Sequence, residues 1–121
     1  MRKPLVSNNQ VVIDASGKIL GRLASQVAVV LRGKNLPSFR PDVISGPKVL
    51  VKNFSKMLVT GDKYKQKMYA HFSGYAGGLR QTSLGEKMKK DPKAVLMLAV
   101  KRMLPDNRTR NKILKRLTIQ L

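Results

Sequence analysis

Apolar residues follow two clear patterns near the start of the chain. Val11, Val12 and Ile13 form a short apolar run, and the segment after it has apolar residues three and four positions apart. The run predicts a strand, and the spacing predicts an amphipathic helix that ends at Gly33. Residues 14–17 predict a tight turn between the two, with Asp14 or Ser16 available to cap the helix.

Short apolar runs and helix-start signals alternate along the rest of the chain. Three runs are typical of strands or extended pieces: 49–51, 58–60 and 68–72. Three helices are predicted from capping residues: 84–90 after Ser83-x-x-Glu86, a helix opened by Asp91-Pro92 and ended by Pro105, and 108–116 after Asp106 or Asn107. The helix before Pro105 is expected to face inward with Val95, Leu98, Ala99 and Met103. A final extended piece is predicted over residues 118–121.

A strand–helix–strand opening followed by helices predicts an α/β fold, whose first two strands are joined by a crossover long enough for a parallel unit. We find no internal repeat and no linker. The chain is therefore expected to form one domain over residues 1–121, with residues 1–10 as an extended arm.

The charge balance is the strongest compositional signal. The 121 residues include 25 Lys and Arg but only 6 Asp and Glu, so the formal net charge is +19. A folded domain with this much self-repulsion needs a polyanion, which could be RNA, DNA or an anionic membrane surface. There is no Cys and no apolar run of the roughly 18 residues that a membrane span needs. Because no apolar stretch follows the basic N-terminal residues, we expect no signal peptide.

Residues that could support catalysis or metal binding are sparse. The chain has one His, and no two acidic residues lie within four positions of each other. The turn from Gly17 to Arg22 opens a helix after a strand, as phosphate loops do, yet it matches neither common glycine-rich nucleotide motif. We expect either a tight turn or a helix start at which Lys18 and Arg22 hold an RNA phosphate. A nucleotide-binding site is a less favoured alternative. We predict no metal, no cofactor and no catalytic residue.

Basic clusters and a glycine-rich loop supply the candidate RNA contacts. Lys63, Lys65 and Lys67 would share one face if extended, and a helix over 108–116 would place several cations on one face. The aromatic residues beside the loop could stack on an unpaired base or pack onto the body. The predicted RNA-binding residues are Lys18, Arg22, Arg32, Lys34, Lys63, Lys65, Lys67, His71, Tyr75, Gly77, Gly78, Arg80, Lys101, Arg102, Arg108, Arg110, Lys112, Lys115 and Arg116.

Four groups of segments, in this order and at this spacing, resemble one family. They are 12–25 with 31–34, 51–53 with 60–63, 73–79, and 99–105 with 114–117. Together they resemble the family of large-subunit ribosomal protein thirteen, in its bacterial form. Phe72 and Ala76 depart from that pattern, where the family usually has His and Pro, and the chain stops at Leu121, short of the family's usual tail.

The resemblance implies a three-layer α/β/α fold around a four-stranded, mainly parallel sheet. It also implies a structural constituent of the large ribosomal subunit in the cytoplasm, bound to large-subunit ribosomal RNA and neighbouring ribosomal proteins, with an early role in assembly. No enzyme activity, small-molecule substrate or membrane partner is expected. A DNA-compacting protein and a nucleotide-using enzyme built on the Asp14–Arg22 turn are the two alternatives.

Overall fold

The computed structural model describes residues 10–44 and 46–121. Helices and strands are mixed along this part of the chain, which confirms the predicted α/β class. Their bounds are β1 Gln10–Asp14, α1 Leu20–Arg32, β2 Lys48–Lys52, a 3₁₀ turn Phe54–Lys56, α2 Lys63–Gln66, β3 Met68–Phe72, β4 Leu79–Ser83, α3 Leu84–Lys90, α4 Pro92–Met103, α5 Arg110–Leu114 and β5 Leu117–Ile119. The arm predicted for residues 1–10 lies outside the described residues, except that Gln10 begins β1.

A parallel sheet of three strands lies at the centre, in the order β1-β2-β5. Because side chains alternate along a strand, Ile13, Val51 and Ile119 share one face, and all three are buried in the core. Val12 lies on the opposite face and is 53% exposed. The core therefore lies against one face of this sheet.

The expectation of a four-stranded sheet was wrong for the described residues. The segment predicted as a strand at 58–60 contributes a single parallel bridge, between Leu58 and Ile19. The other two strands, β3 and β4, form a separate antiparallel hairpin. The polar β4 was missed from sequence, and the loop at its start is residues 73–78.

Helix α1 matches its prediction in both extent and buried face. Its buried residues are Leu20, Leu23, Ala24, Val27, Ala28 and Leu31. Gly33 adopts φ 80°, the left-handed conformation that glycine tolerates best, and donates its N–H to the carbonyls of Val29 and Val30. The predicted side-chain cap was wrong, because the capping position is Ile19 and no side chain bonds there.

Asp14 stabilises the turn before α1 instead of the helix itself. Its carboxylate accepts hydrogen bonds from the Ser16 N–H at 2.9 Å and from the Asn53 side-chain amide at 3.3 Å. These hydrogen bonds, the Ser16 one foremost, lower the pKa of Asp14 below its usual value of 3.8. The turn is thus tied to the residue that follows β2.

Helices α3 and α4 begin at the predicted caps. Ser83 Oγ accepts a hydrogen bond from the Glu86 N–H, and Asp91 Oδ1 accepts one from the Ala94 N–H, both at 3.3 Å. The predicted inward face of α4 was only partly right. The helix buries Val95, Leu96 and Val100, whereas Met103 is 46% exposed. Because α4 packs against both α1 and α3, its buried face is wider than a single apolar stripe would suggest.

Candidate nucleic-acid interface

Few of the positive charges are neutralised within the protein. Among residues 10–44 and 46–121 there are two ion pairs, Arg40–Asp42 at 3.1 Å and Arg110–Asp106 at 3.2 Å. The segment from residue 63 to residue 85 carries no acidic residue at all, and it includes α2, the β3–β4 hairpin and its loop. Helix α2, the hairpin and its loop therefore carry positive charges only.

Three cations lie around the ring of Tyr69 on β3: Lys67 from the link between α2 and β3, Lys87 from α3 and Arg102 from α4. Lys87 Nζ lies 4.4 Å from the ring centroid, Lys67 Nζ 5.6 Å, and the Arg102 guanidinium carbon 6.0 Å. We call these four residues the Tyr69 cluster. Neither ion pair of the described chain includes a member of it. Each cation is attracted to the ring face, but the three charges repel one another and none of them is in an ion pair within the described residues.

The position of Tyr69 explains how these charges come together. Its side chain packs against the hydrophobic core, so the hairpin lies beside α3 and α4, which carry Lys87 and Arg102. Partial burial raises the pKa of the Tyr69 hydroxyl, and the Arg102 charge offsets part of that rise. The phenol is therefore a neutral platform between three cations, a geometry suited to a phosphate group.

The inner face of the hairpin extends this basic surface. His71 lies directly opposite Arg80 in the β3–β4 register, and strand alternation places both on the same side as Tyr69. Both side chains are exposed. The structure thus brings together four of the predicted residues, Lys67, His71, Arg80 and Arg102. Lys87 and Tyr69 were not among the predicted residues. They are distant in sequence, and nothing near either one in sequence indicates that their side chains lie together.

The predicted arrangement of Lys63, Lys65 and Lys67 was wrong. They would share a face only in an extended segment, but Lys63 and Lys65 lie in the short helix α2 and Lys67 follows it. The helix forms at Asp62, whose carbonyl accepts hydrogen bonds from the N–H groups of Lys65 and Gln66. The three side chains therefore point in different directions, and Lys67 alone joins the Tyr69 cluster.

The predicted basic helix over 108–116 was also wrong in extent. Helix α5 covers Arg110–Leu114, so several of its expected cations lie outside it. Arg110 pairs with Asp106, and the Arg116 guanidinium donates to the carbonyl of Gly46. The chain must leave the helix to form β5, which pairs with β2. Arg108, Lys112 and Lys115 remain exposed on this surface.

Other predicted contact residues differ in how freely they can reach a partner. Arg22 and Lys34 are exposed. Lys18 Nζ donates to Gln26 Oε1 at 3.3 Å, and the Arg32 guanidinium lies 5.7 Å from the centroid of the Phe39 ring. Lys101 is partly buried in the last turn of α4. Tyr75, Gly77 and Gly78 lie in the hairpin loop.

The turn before α1 does not have the geometry of a nucleotide-binding loop. The Gly17 N–H donates a hydrogen bond to the Lys56 carbonyl, and the Leu20 N–H donates one to the Leu58 carbonyl. The Lys18 N–H donates to the Ala15 carbonyl. A phosphate loop needs these backbone donors free to face the ligand. Within the described ranges there is no cluster of three or more His, Cys, Asp or Glu residues that could hold a metal ion. No helix there is long and apolar enough to cross a membrane.

The fold and this surface define a class first: a small α/β protein with a strongly basic surface. The family model described as ribosomal protein L13 matches residues 8–120. The chain therefore belongs to the ribosomal protein L13 family. As a member it is a structural ribosomal protein and not an enzyme, and it is located in the ribosome in the cytoplasm.

Curated relatives agree with that assignment over most of the chain. A protein from Pseudothermotoga lettingae is 53% identical over 108 residues, covering 89% of this chain and 74% of the relative. One from Chloroflexus aggregans is 47% identical over 114 residues, covering 94% and 80%, and one from Aquifex aeolicus is 49% identical over 108 residues, covering 89% and 75%. All three are named large ribosomal subunit protein uL13.

Proposed function

We propose that this protein, as a single domain over residues 1–121, is a structural constituent of the large ribosomal subunit that binds large-subunit ribosomal RNA. It helps to assemble that subunit early and contacts neighbouring ribosomal proteins. The observation that carries the RNA-binding proposal is the Tyr69 cluster, in which three cations converge without an ion pair. A polyanion is the partner that removes their mutual repulsion.

The mechanism is scaffolding by charge neutralisation. The Tyr69 cluster and the inner face of the hairpin hold phosphates on one side of the domain, and Arg108, Lys112 and Lys115 hold others near α5. Arg22 and Lys34 supply further contacts at the two ends of α1. Binding at separate points fixes the relative positions of RNA segments. Phosphate contacts position a partner more than they specify its sequence, so selectivity comes from the shape of the RNA.

Salt dependence of RNA binding tests this proposal. With about 6–10 phosphate contacts, the affinity of the protein for large-subunit ribosomal RNA should fall on the order of 10³–10⁵ between 50 and 200 mM salt. The measurement is filter binding at a series of salt concentrations, with duplex DNA of equal charge as the matched competitor. A flat salt response, or a preference for the DNA, would contradict the proposal.

A further inference from the structure

The β3–β4 hairpin has a second face that the Tyr69 cluster does not use. Strand alternation places Met68 and Phe72 on the side opposite Tyr69, and Leu79 lies opposite Phe72 in the register. These three apolar side chains are 51%, 60% and 57% exposed. A two-stranded hairpin gains little stability alone in water, so an exposed apolar face on it indicates a contact with a partner.

The tip of the hairpin presents an aromatic ring instead of packing it away. Tyr75 is 80% exposed. The loop has a defined shape, because Ser73 N–H donates to the Gly78 carbonyl at 3.3 Å and Gly78 N–H donates to the Tyr75 carbonyl at 2.9 Å. Gly74 and Gly77 have φ of 91° and 73°, which favour glycine. A pre-formed loop with an outward ring costs little entropy on binding.

Charge decides which partner suits these exposed rings. The second, apolar face of the hairpin lies within the stretch from residue 63 to residue 85, which contains no acidic residue. Two cations lie in or beside the hairpin: Arg80 in β4, and Lys67 directly before β3. An apolar protein surface would gain nothing from these cations, whereas a nucleic-acid strand offers both phosphates and the flat faces of its bases. In a duplex those faces are stacked, so the strand must have an unpaired base.

We propose that Tyr75, at the tip, and Phe72, on the second face, stack on unpaired bases of an RNA strand that passes around the tip of the hairpin, so that phosphates of neighbouring nucleotides lie along the inner, cationic face. This inference rests on the proposed function and adds a base-binding contact to it. The two faces then have different energetic roles. The inner face supplies salt-dependent affinity, and the rings supply a contact that salt hardly screens.

The test compares Tyr75→Ala and Phe72→Ala with two controls. Tyr75→Phe keeps the ring, and Tyr64→Ala removes another tyrosine, 41% exposed, outside the hairpin. Binding to intact large-subunit ribosomal RNA is measured as a function of salt, and ultraviolet crosslinks in the wild-type complex are mapped by mass spectrometry. Circular dichroism confirms that each variant is folded.

Each alanine variant should weaken RNA binding about 5- to 150-fold with an unchanged salt slope, and both controls should bind like the wild type. Crosslinks should map to Tyr75 or Phe72. If the wild type binds with a steep salt slope but the alanine variants bind equally well, the stacking inference is overturned and the proposed function stands. Normal RNA binding by these variants with poor incorporation into the large subunit would assign the face to a protein partner, which also overturns the inference. Failure of the wild type to bind would overturn both.

Discussion

Removing the three cations of the Tyr69 cluster should separate RNA binding from folding. In the triple variant Lys67→Ala, Lys87→Ala and Arg102→Ala, the Tyr69 ring stays in place while every charge within 6.0 Å of its centroid is lost. The three charges are close enough to one another to contact neighbouring phosphates of a single strand. Their removal therefore tests one continuous piece of the interface.

The size of the effect follows from counterion release. Each neutralised phosphate contributes about 0.7 to the log–log salt slope for single-stranded nucleic acid and about 0.9 for a duplex. If each cation holds its own phosphate, the triple variant should lose about 2–3 units of slope. The stability of the isolated protein should change little. The variant relieves the repulsion among three like charges but also loses their three contacts with the Tyr69 ring, and these two effects on the free energy of unfolding oppose each other.

The assay is filter binding to large-subunit ribosomal RNA from 50 to 400 mM potassium chloride, with thermal unfolding of the free protein alongside. The matched control replaces Lys67 and Lys87 by Arg, which keeps both charges and should keep the slope. An unchanged slope in the triple variant would refute the assignment of the cluster to phosphate. Equal loss of slope in the arginine control would show that geometry, not charge, is responsible.

Three further predictions concern folding. Gly46→Ala should lower the melting temperature strongly, because a Cβ there would lie 1.7 Å from the carbonyl oxygen of Leu31. Such overpacking costs about 1–3 kcal/mol or more. Near wild-type stability in thermal unfolding would contradict this prediction. Ser83→Ala should cost about 0.5–2 kcal/mol in urea denaturation by removing the α3 cap, while Ser83→Asp should not. The pKa of Asp14 is lowered, so its stabilising effect is present above pH 3.8 and disappears as the pH falls through its folded-state pKa. Asp14→Asn should therefore flatten the acid limb of the stability profile, and an identical limb would exclude the Ser16 hydrogen bond as its cause.

The elements that the sequence predicted correctly are those with local signals. Helix α1 has an apolar stripe and a terminal glycine, and α3 and α4 begin at Ser83 and Asp91, whose side chains bond within their own first turns. Strand β2 has an apolar run, residues 49–51, between two lysines and lies at the centre of a parallel sheet. In each case the residues that determine the element lie close together in sequence, so their pattern can be recognised from the sequence alone.

The errors lie where partners distant in sequence decide the structure. Strand β4 contains one large apolar residue, Leu79, and forms because β3 pairs with it. Helix α5 ends early because the chain turns into β5. The Tyr69 cluster depends on the hairpin lying beside α3 and α4, so neither the spacing of Lys87 nor that of Arg102 could indicate it. The sequence therefore predicted a basic surface, but not that Lys67, Lys87 and Arg102 lie together around Tyr69.

Membership of the large ribosomal subunit is tested by sucrose-gradient sedimentation of a cell lysate in magnesium buffer, with quantitative detection of this chain. If the protein is a constituent of the large ribosomal subunit, it should sediment with that subunit at near one copy per particle and stay bound through a moderate salt wash. A chain that remains at the top of the gradient, or that sediments with DNA, would contradict the proposed role in the large subunit.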